Sequence, residues 1–267
     1  MNKAQIIALY DQDQRIAVEY PGMRREVTPQ VVRHIDTLDT RDGAVVYSNL
    51  NEANADDIIR EQVAFFESLG QGFEWKLYDY DRPADLKDRL AAFGFVIEEE
   101  EAIMVLDLAQ APQNLWQPAQ QDIRKIVDPA NLSDVVAIKE QVYPGEDFSG
   151  LAEYLGEALR NYPEQMSVYV AYVAGQPVSA AWIYFPRRSQ FASLWGGSTI
   201  SGFRQQGLYT ALLAVRAQEA KARQVRYLTV DASPMSRPIL EKFGFELIAY
   251  SYPCKWELKP KDRGSGA

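Results

Sequence analysis

The chain has 267 residues, 47% of them hydrophobic and 12% aromatic, and a formal net charge of −9. That length suits two domains with sizeable cores. No apolar run approaches the roughly 20 residues of a membrane span, Ile6 to Leu9 is too short for a signal-peptide core, and one cysteine and one histidine exclude a disulfide framework and argue against a Cys/His metal site. The cytoplasm is the default location, with no membrane and no metal expected. Residues 1–117 carry 11 Lys+Arg against 22 Asp+Glu, whereas residues 118–267 carry 17 against 15. The acidic first half argues against nucleic acid as a partner, while the near-neutral second half could admit a polyanionic ligand.

In chain order, Ile6 to Tyr10 and Arg15 to Glu19 read as strands, Pro21-Gly22 as a turn, and Thr28 to His34 as a helix. His34 is expected as a partly exposed helix residue, a catalytic base being the alternative. Ala44 to Tyr47 reads as a strand. Asp56 to Leu69 reads as a helix, with Ile59, Val63 and Phe66 on one face and Gly70 ending it. Trp75 to Tyr78 is a strand, Ala84 to Phe93 a helix stopped by Gly94, and Phe95 to Leu108 the closing strands. Residues 109–119, with Pro112 and Pro118, read as a linker.

The second half opens with a strand at Asp122 to Val127, helices at Leu132 to Val142 and Leu151 to Tyr162 around the loop Tyr143 to Phe148, and a hairpin of Ser167 to Val173 and Val178 to Phe185. A strand from Phe191 then enters a helix through Arg204-Gln205-Gln206-Gly207, with Leu208, Ala211, Leu212 and Val215 on its inner face. Free backbone N–H groups at such a helix start, after a glycine, form a site for phosphate, and Arg204 can add a charge-assisted bond. No Lys-Ser or Lys-Thr follows Gly207 and there is no Gly-x-Gly-x-x-Gly, so neither the Walker loop nor the dinucleotide fingerprint applies. Leu228 to Asp231 is a strand, Pro238 to Phe243 a short helix stopped by Gly244, and Phe245 to Ile248 and Lys255 to Leu258 two last strands.

Arg204-x-x-Gly207-x-Tyr209, followed one strand later by a helix ending in Lys242-Phe-Gly-Phe245, resembles the pyrophosphate loop and the closing part of the GNAT superfamily of acetyltransferases over roughly residues 118 to 258. Phe93-Gly-Phe95 matches Phe243-Gly-Phe245 at an offset of 150, and Trp75 to Tyr80 matches Tyr227 to Ala232 at an offset of 152, which indicates an internal duplication. The duplicate of the phosphate loop falls on Asn54 to Ile59, where Asp56 and Asp57 suit a helix dipole but repel an anion. The expected fold is therefore α/β, with two tandem GNAT-like domains, each a mixed, mostly antiparallel sheet flanked by helices. Residues 1–116 would be a degenerate copy without a cofactor loop, acting through burial with Phe93 and Phe95 in its core, 117–260 the acetyltransferase domain, and 261–267 a flexible tail.

The resemblance implies acetyl-CoA as co-substrate, with pantetheine along Ser198, Thr199 and Ile200 and pyrophosphate on Arg204, Gln205, Gln206, Gly207, Leu208, Tyr209 and Thr210. Tyr209 departs from the family's small residue, and its ring is expected to point outward. The family's proton-donating tyrosine, four residues before the closing glycine, is Leu240 here, and its usual asparagine is Ser233. Asp231, Ser236 and Tyr184 are the candidate catalytic groups, Asp231 being either a base or a helix cap. Cys254 could be a reactive thiol or a small buried hydrophobe. By the resemblance, Tyr143, Glu146, Asp147 and Phe148 would form the acceptor loop, the two acids suiting a cationic amine unless they are simply solvated. The function implied is direct acetyl transfer to the amine of a small molecule or amino acid, by a monomer or homodimer. The alternative is a non-catalytic acyl-CoA-binding sensor or scaffold.

Overall fold

The computed structural model describes residues 2–38 and 42–258, and the tail expected at 261–267 lies outside them. The chain opens with helix α1 (Lys3–Tyr10), which runs directly into a π-helical turn at Asp11–Ile16. The strand expected at Ile6 to Tyr10 is thus helical, and the one expected at Arg15 to Glu19 is absent, its first two residues ending the π-helical turn and the rest lying outside regular structure. Asn2 accepts from the N–H of Gln5 while the Gln5 side chain accepts from the N–H of Asn2, a capping box that outweighs the strand propensity of Ile6 and Ile7.

Strands β1 (Met23–Val27) and β2 (Val31–Asp36) form a hairpin. The helix expected at Thr28 to His34 is absent because the Thr28 hydroxyl accepts from the N–H of Val31 at 3.0 Å, closing a turn instead of a helix cap. A repeated unit follows. Strand β3 (Gly43–Ser48), helix α2 (Ala55–Leu69), strand β4 (Phe73–Tyr78), helix α3 (Leu86–Ala92), the short β5 (Val96–Ile97) and β6 (Glu101–Asp107) complete the first half. Leu115, in the expected linker, is fully buried, and Gln218 holds its carbonyl at 3.0 Å. The second half comprises β7 (Asp122–Ile126), α4 (Ser133–Val142), α5 (Ser149–Asn161), β8 (Met166–Val173), β9 (Gln176–Tyr184) and β10 (Phe191–Thr199). It ends with α6 (Leu208–Ala222), β11 (Tyr227–Ala232), α7 (Arg237–Lys242) and β12 (Glu246–Trp256), the last a single bulged strand where two are expected.

The duplication is visible in the pairing. Gly43 pairs in parallel with Phe73, and Phe191 with Tyr227, so each half carries the same strand–helix–strand unit. Its closing turns are alike to the hydrogen bond. Phe95 N–H reaches Leu90 O and Phe245 N–H reaches Leu240 O, around glycines with φ of 90° and 83° that a side chain would strain. Phe95 and Phe245 are buried, but Phe93, expected in the core, is only half-buried.

The sheet does not break between the halves. Its order is β1-β2-β3-β4-β12-β6-β11-β10-β9-β8-β7, so each half lends its last strand to the other's edge. Strand β6 pairs with β11 from Asp107↔Tyr227 to Ala102↔Ala232, while β12 pairs with β4 from Trp256↔Phe73 to Ser251↔Tyr78. Helices α2, α3, α6 and α7 pack on one face, and α1, α4 and α5 on the other. Side chains alternate across a strand, so Lys76, Glu101, Thr229 and Asp231 share the second face with Tyr78, Ile103 and Tyr227.

Candidate active site

Strand β10 and β11 pair only as far as Ser193↔Thr229 and then diverge. The divergence is built in by a bulge between Trp195 and Ser198. Gly196 in that bulge has φ +68°, and a Cβ there would fall 1.9 Å from the Trp182 ring, so only glycine fits. The open edge leads to the start of α6. Gly207 takes φ +76° and Gln205 +62°, a reversal that turns successive N–H groups the same way. Among the described residues, no protein group accepts from the backbone N–H groups of Gln205 through Thr210. The Arg204 guanidinium is exposed beside them, bonded at 3.2 Å to Thr199 O. Free backbone donors of this kind at a helix start suit an anion, and their number and direction fit the pyrophosphate of coenzyme A. The corresponding helix α2 starts without a left-handed glycine and carries Asp56, ion-paired with Arg89 at 2.8 Å.

A cavity of about 1460 Å³ joins this loop to the opposite face of the sheet and is lined by both halves. The first half, expected to act through burial alone, contributes Tyr10, Tyr20, His34, Glu74, Lys76 and Glu101 to its wall. His34 is 1% exposed on β2, with Nε2 3.1 Å from Val18 O, so it is not the exposed helix residue expected. Lys76 forms an ion pair with Asp231. Asp231 therefore is neither a free base nor a helix cap; it is the counter-ion of a buried lysine. Glu101 has no such partner among the described residues, and burial followed by the charge of Asp231 pushes its carboxyl up to about 7. Burial likewise raises Glu74. A carboxyl with that ionisation range can accept a proton near neutrality.

Tyr209 does not point outward. A Cβ on Gly197 would lie 3.2 Å from its ring, and Tyr209 lines the cavity together with Ser236. The ring therefore crosses the gap between β10 and α7. Burial raises the phenol, against the opposing pull of the Arg216 guanidinium one helical face below. Arg216 is 2% exposed and donates to Leu212 O at 2.9 Å and Trp182 O at 3.1 Å, with no carboxylate partner among the described residues. Burial lowers its pKa to about 10. Leu240, at the family's tyrosine position, is fully buried in the core.

The remaining candidates divide. Tyr184 lines the cavity, but its hydroxyl is held by Glu19 O and by Gln165 at 3.2 Å. Ser236 lines the cavity and bonds Ser233 O at 3.2 Å, while Ser233 is exposed. Ser198 and Thr199 lie on the open β10 edge, and the Thr199 hydroxyl bonds Ser179 at 2.7 Å. Tyr143 reaches the cavity; Glu146, Asp147 and Phe148 do not line it, and Asp147 instead caps α5 by accepting from Ser149 N–H at 2.8 Å. Cys254 is a buried core residue whose thiol burial pushes up to about 12. Lys139 of α4, not anticipated from the sequence, lies 5.4 Å from the Trp182 ring and 5.3 Å from the Tyr143 ring. Glu101 was legible only as the end of the acidic run Glu98 to Glu101. Its phase with Ile103 and Val105, two buried residues, is the signal that turns it inward.

Residues 139–253 match the family model described as an acetyltransferase (GNAT) domain. None of the curated proteins compared with the chain matches it. Among solved structures, a GCN5-related N-acetyltransferase from Kribbella flavida is 16% identical, with 95% of each chain covered and a TM-score of 0.67. A functionally unknown conserved protein from Staphylococcus epidermidis is 14% identical, over 89% of this chain and 95% of that one, with a TM-score of 0.68. A tandem GNAT protein from the clavulanic acid biosynthesis pathway is 13% identical, over 92% and 86%, with a TM-score of 0.58. At such identities the shared feature is the fold, and the family match falls on the segment that holds the bulged strand, the anion loop and the closing helix. Within the second half, residues 139–253 are thus similar to a GNAT acetyltransferase domain, and the whole chain has the fold of tandem GNAT proteins.

Proposed function

We propose that the protein is an acetyl-CoA-dependent N-acyltransferase that moves the acetyl group directly to an amine held in the cavity shared by its halves. Acetyl-CoA supplies the acyl group as a thioester. The N–H groups of Gln205 to Thr210 hold its pyrophosphate, and the edge of β10 from Leu194 to Thr199 offers backbone partners to the pantetheine arm. Glu101 takes the proton from the acceptor's ammonium, since a carboxyl titrating near 7 is both ionised and basic enough to do so. Tyr209, whose phenol the Arg216 charge draws toward its ionised form, returns a proton to the departing thiolate.

The observation that carries this reading is that one cavity is lined both by the loop whose N–H groups have no acceptor among the described residues and by an elevated carboxyl with no hydrogen bond or ion pair among them. The test is thiol release from acetyl-CoA with a panel of amines. Acceptor-dependent release of coenzyme A supports an enzyme. Tight coenzyme binding with no release under any acceptor points instead to the sensor or scaffold.

A further inference from the structure

The cavity has two walls of opposite charge. On the floor, Glu101 and Glu74 come from strands of the first half, and the neighbouring Asp231 is already neutralised by Lys76. On the α4 wall stands Lys139, which makes no hydrogen bond or ion pair among the described residues; it lies against the rings of Tyr143 and Trp182, and Glu146, which does not line the cavity, acts on it only through its charge. A cation against aromatic faces is held less firmly than one hydrogen-bonded to a carboxylate in the same partly dry setting. Burial already presses on this ammonium, lowering its pKa to about 8. Between the two walls lies Thr229, 3% exposed, whose hydroxyl has no hydrogen-bond partner among the described residues although it lines the cavity. A buried unpaired hydroxyl costs free energy until something binds it.

We propose that the acceptor is a carboxylate-bearing amine, an amino acid or short peptide, with its amino group at Glu101 and its carboxylate at Lys139. The inference rests on the N-acyltransferase reading and specifies its acceptor. A purely cationic acceptor would leave Lys139 unpaired and repelled, while a carboxylate completes it. The floor and the α4 wall are several strands apart, from β6 to β9 across β11 and β10, with neighbouring strands about 4.8 Å apart. The side chains reaching inward shorten that span, and a peptide or extended amino acid bridges what remains. Tyr20 and Trp195, with ring centroids 6.4 Å apart, leave an aromatic flank for an apolar side chain between the two charges.

The probes are phenylalanine and glycyl-phenylalanine, each as free acid and as C-terminal amide. Two measurements are made: coenzyme A release with acetyl-CoA, and calorimetric titration of each probe into the protein in the presence of coenzyme A. The expected result is that at least one free acid binds ten times or more tighter than its amide. Lys139→Gln should abolish that preference by weakening the acid alone, and Lys139→Arg should restore most of it. Where transfer occurs, the difference should lie in KM and leave kcat unchanged. Amides that bind as well as acids, equal loss for both in Lys139→Gln, or no binding by either acid would overturn the proposal. Binding of the acid without release of coenzyme A would uphold the acceptor site while refuting the transferase reading, so the two failures are distinct.

Discussion

Lys76, on β4 of the first half, is ion-paired with Asp231, on β11 of the second, although β12 and β6 lie between their strands in the sheet. The pair ties the two halves at the point where their last strands are exchanged. It also sets the field around Glu101, which Asp231 pushes up and Lys76 pulls down. Replacing Lys76 by Met removes the cation, so the ascending limb of the pH–rate profile should move to higher pH. Asp231→Asn removes the anion and should move it to lower pH. If the two variants shift the limb in the same direction, Glu101 is not the titrating base.

Glu101→Gln keeps the shape of the side chain and deletes the base. Turnover should fall about a hundredfold or more at pH 7, because general bases contribute on that scale. Stability should move the other way. Between the ordinary glutamate value of 4.5 and about 7, the folded chain holds a proton that the unfolded chain has released, so stability falls as pH rises across that window. At pH 8 the folded wild type carries an unfavourable charge there, and the Gln variant should melt higher by a few degrees. Thermal melts at pH 5 and pH 8 check this, with the gain expected only at pH 8. A variant that is inactive and also less stable at both pH values would assign Glu101 to the structure and not to the chemistry.

Much of the second half was legible because its signals are local. The glycine before α6 and the Phe-Gly-Phe turns each demand a particular backbone, and short stretches announce them, whereas the bulge at Gly196 was not anticipated. The first 36 residues were not, since Ile6, Ile7, Val31 and Val32 carry strand propensity wherever they stand, and capping at Asn2 or a turn at Thr28 decides between helix and strand. The site was half legible for a different reason. A phosphate loop is continuous in sequence, whereas the base, its neighbouring ion pair and Lys139 meet only because β6 of one half inserts beside β11 of the other. Nothing in the spacing of Glu101 and Asp231 announces that exchange.

The two helix starts make a matched experiment. Gly207→Asp adds a side chain at φ +76°, with its Cβ 3.1 Å from the Gln121 amide, and sets a carboxylate where pyrophosphate binds. Acetyl-CoA affinity should drop by at least tenfold, roughly 1.4 kcal/mol. Asp56→Ala, at the start of α2, breaks only an exposed pair with Arg89 and should leave coenzyme binding unchanged. Calorimetry that finds two coenzyme sites per chain, or an unaffected Gly207→Asp protein, would count against a single anion loop.

The proton returned to the thiolate should come from Tyr209. From the sequence, with Leu240 in place of the family's tyrosine, no dedicated donor is expected, because a thiol with a pKa near 8.5 leaves tolerably unaided. The structure supplies a phenol from a different helix, α6, and the Arg216 charge, which has no carboxylate partner among the described residues, to favour its ionised form after transfer. Tyr209→Phe keeps the ring against Gly197 and removes only the hydroxyl, so coenzyme affinity should hold while kcat falls more than tenfold. Ser236→Ala should cost less, as it removes a hydroxyl of the cavity wall and not the donor. Burial raises the phenol above its ordinary value of 10, so the donor stays protonated and the wild-type profile should show no descending limb below about pH 10. Arg216→Met should raise the phenol further and slow turnover without altering the ascending limb set by Glu101. An unchanged kcat in Tyr209→Phe at every pH would show that water protonates the thiolate and that Tyr209 only lines the channel.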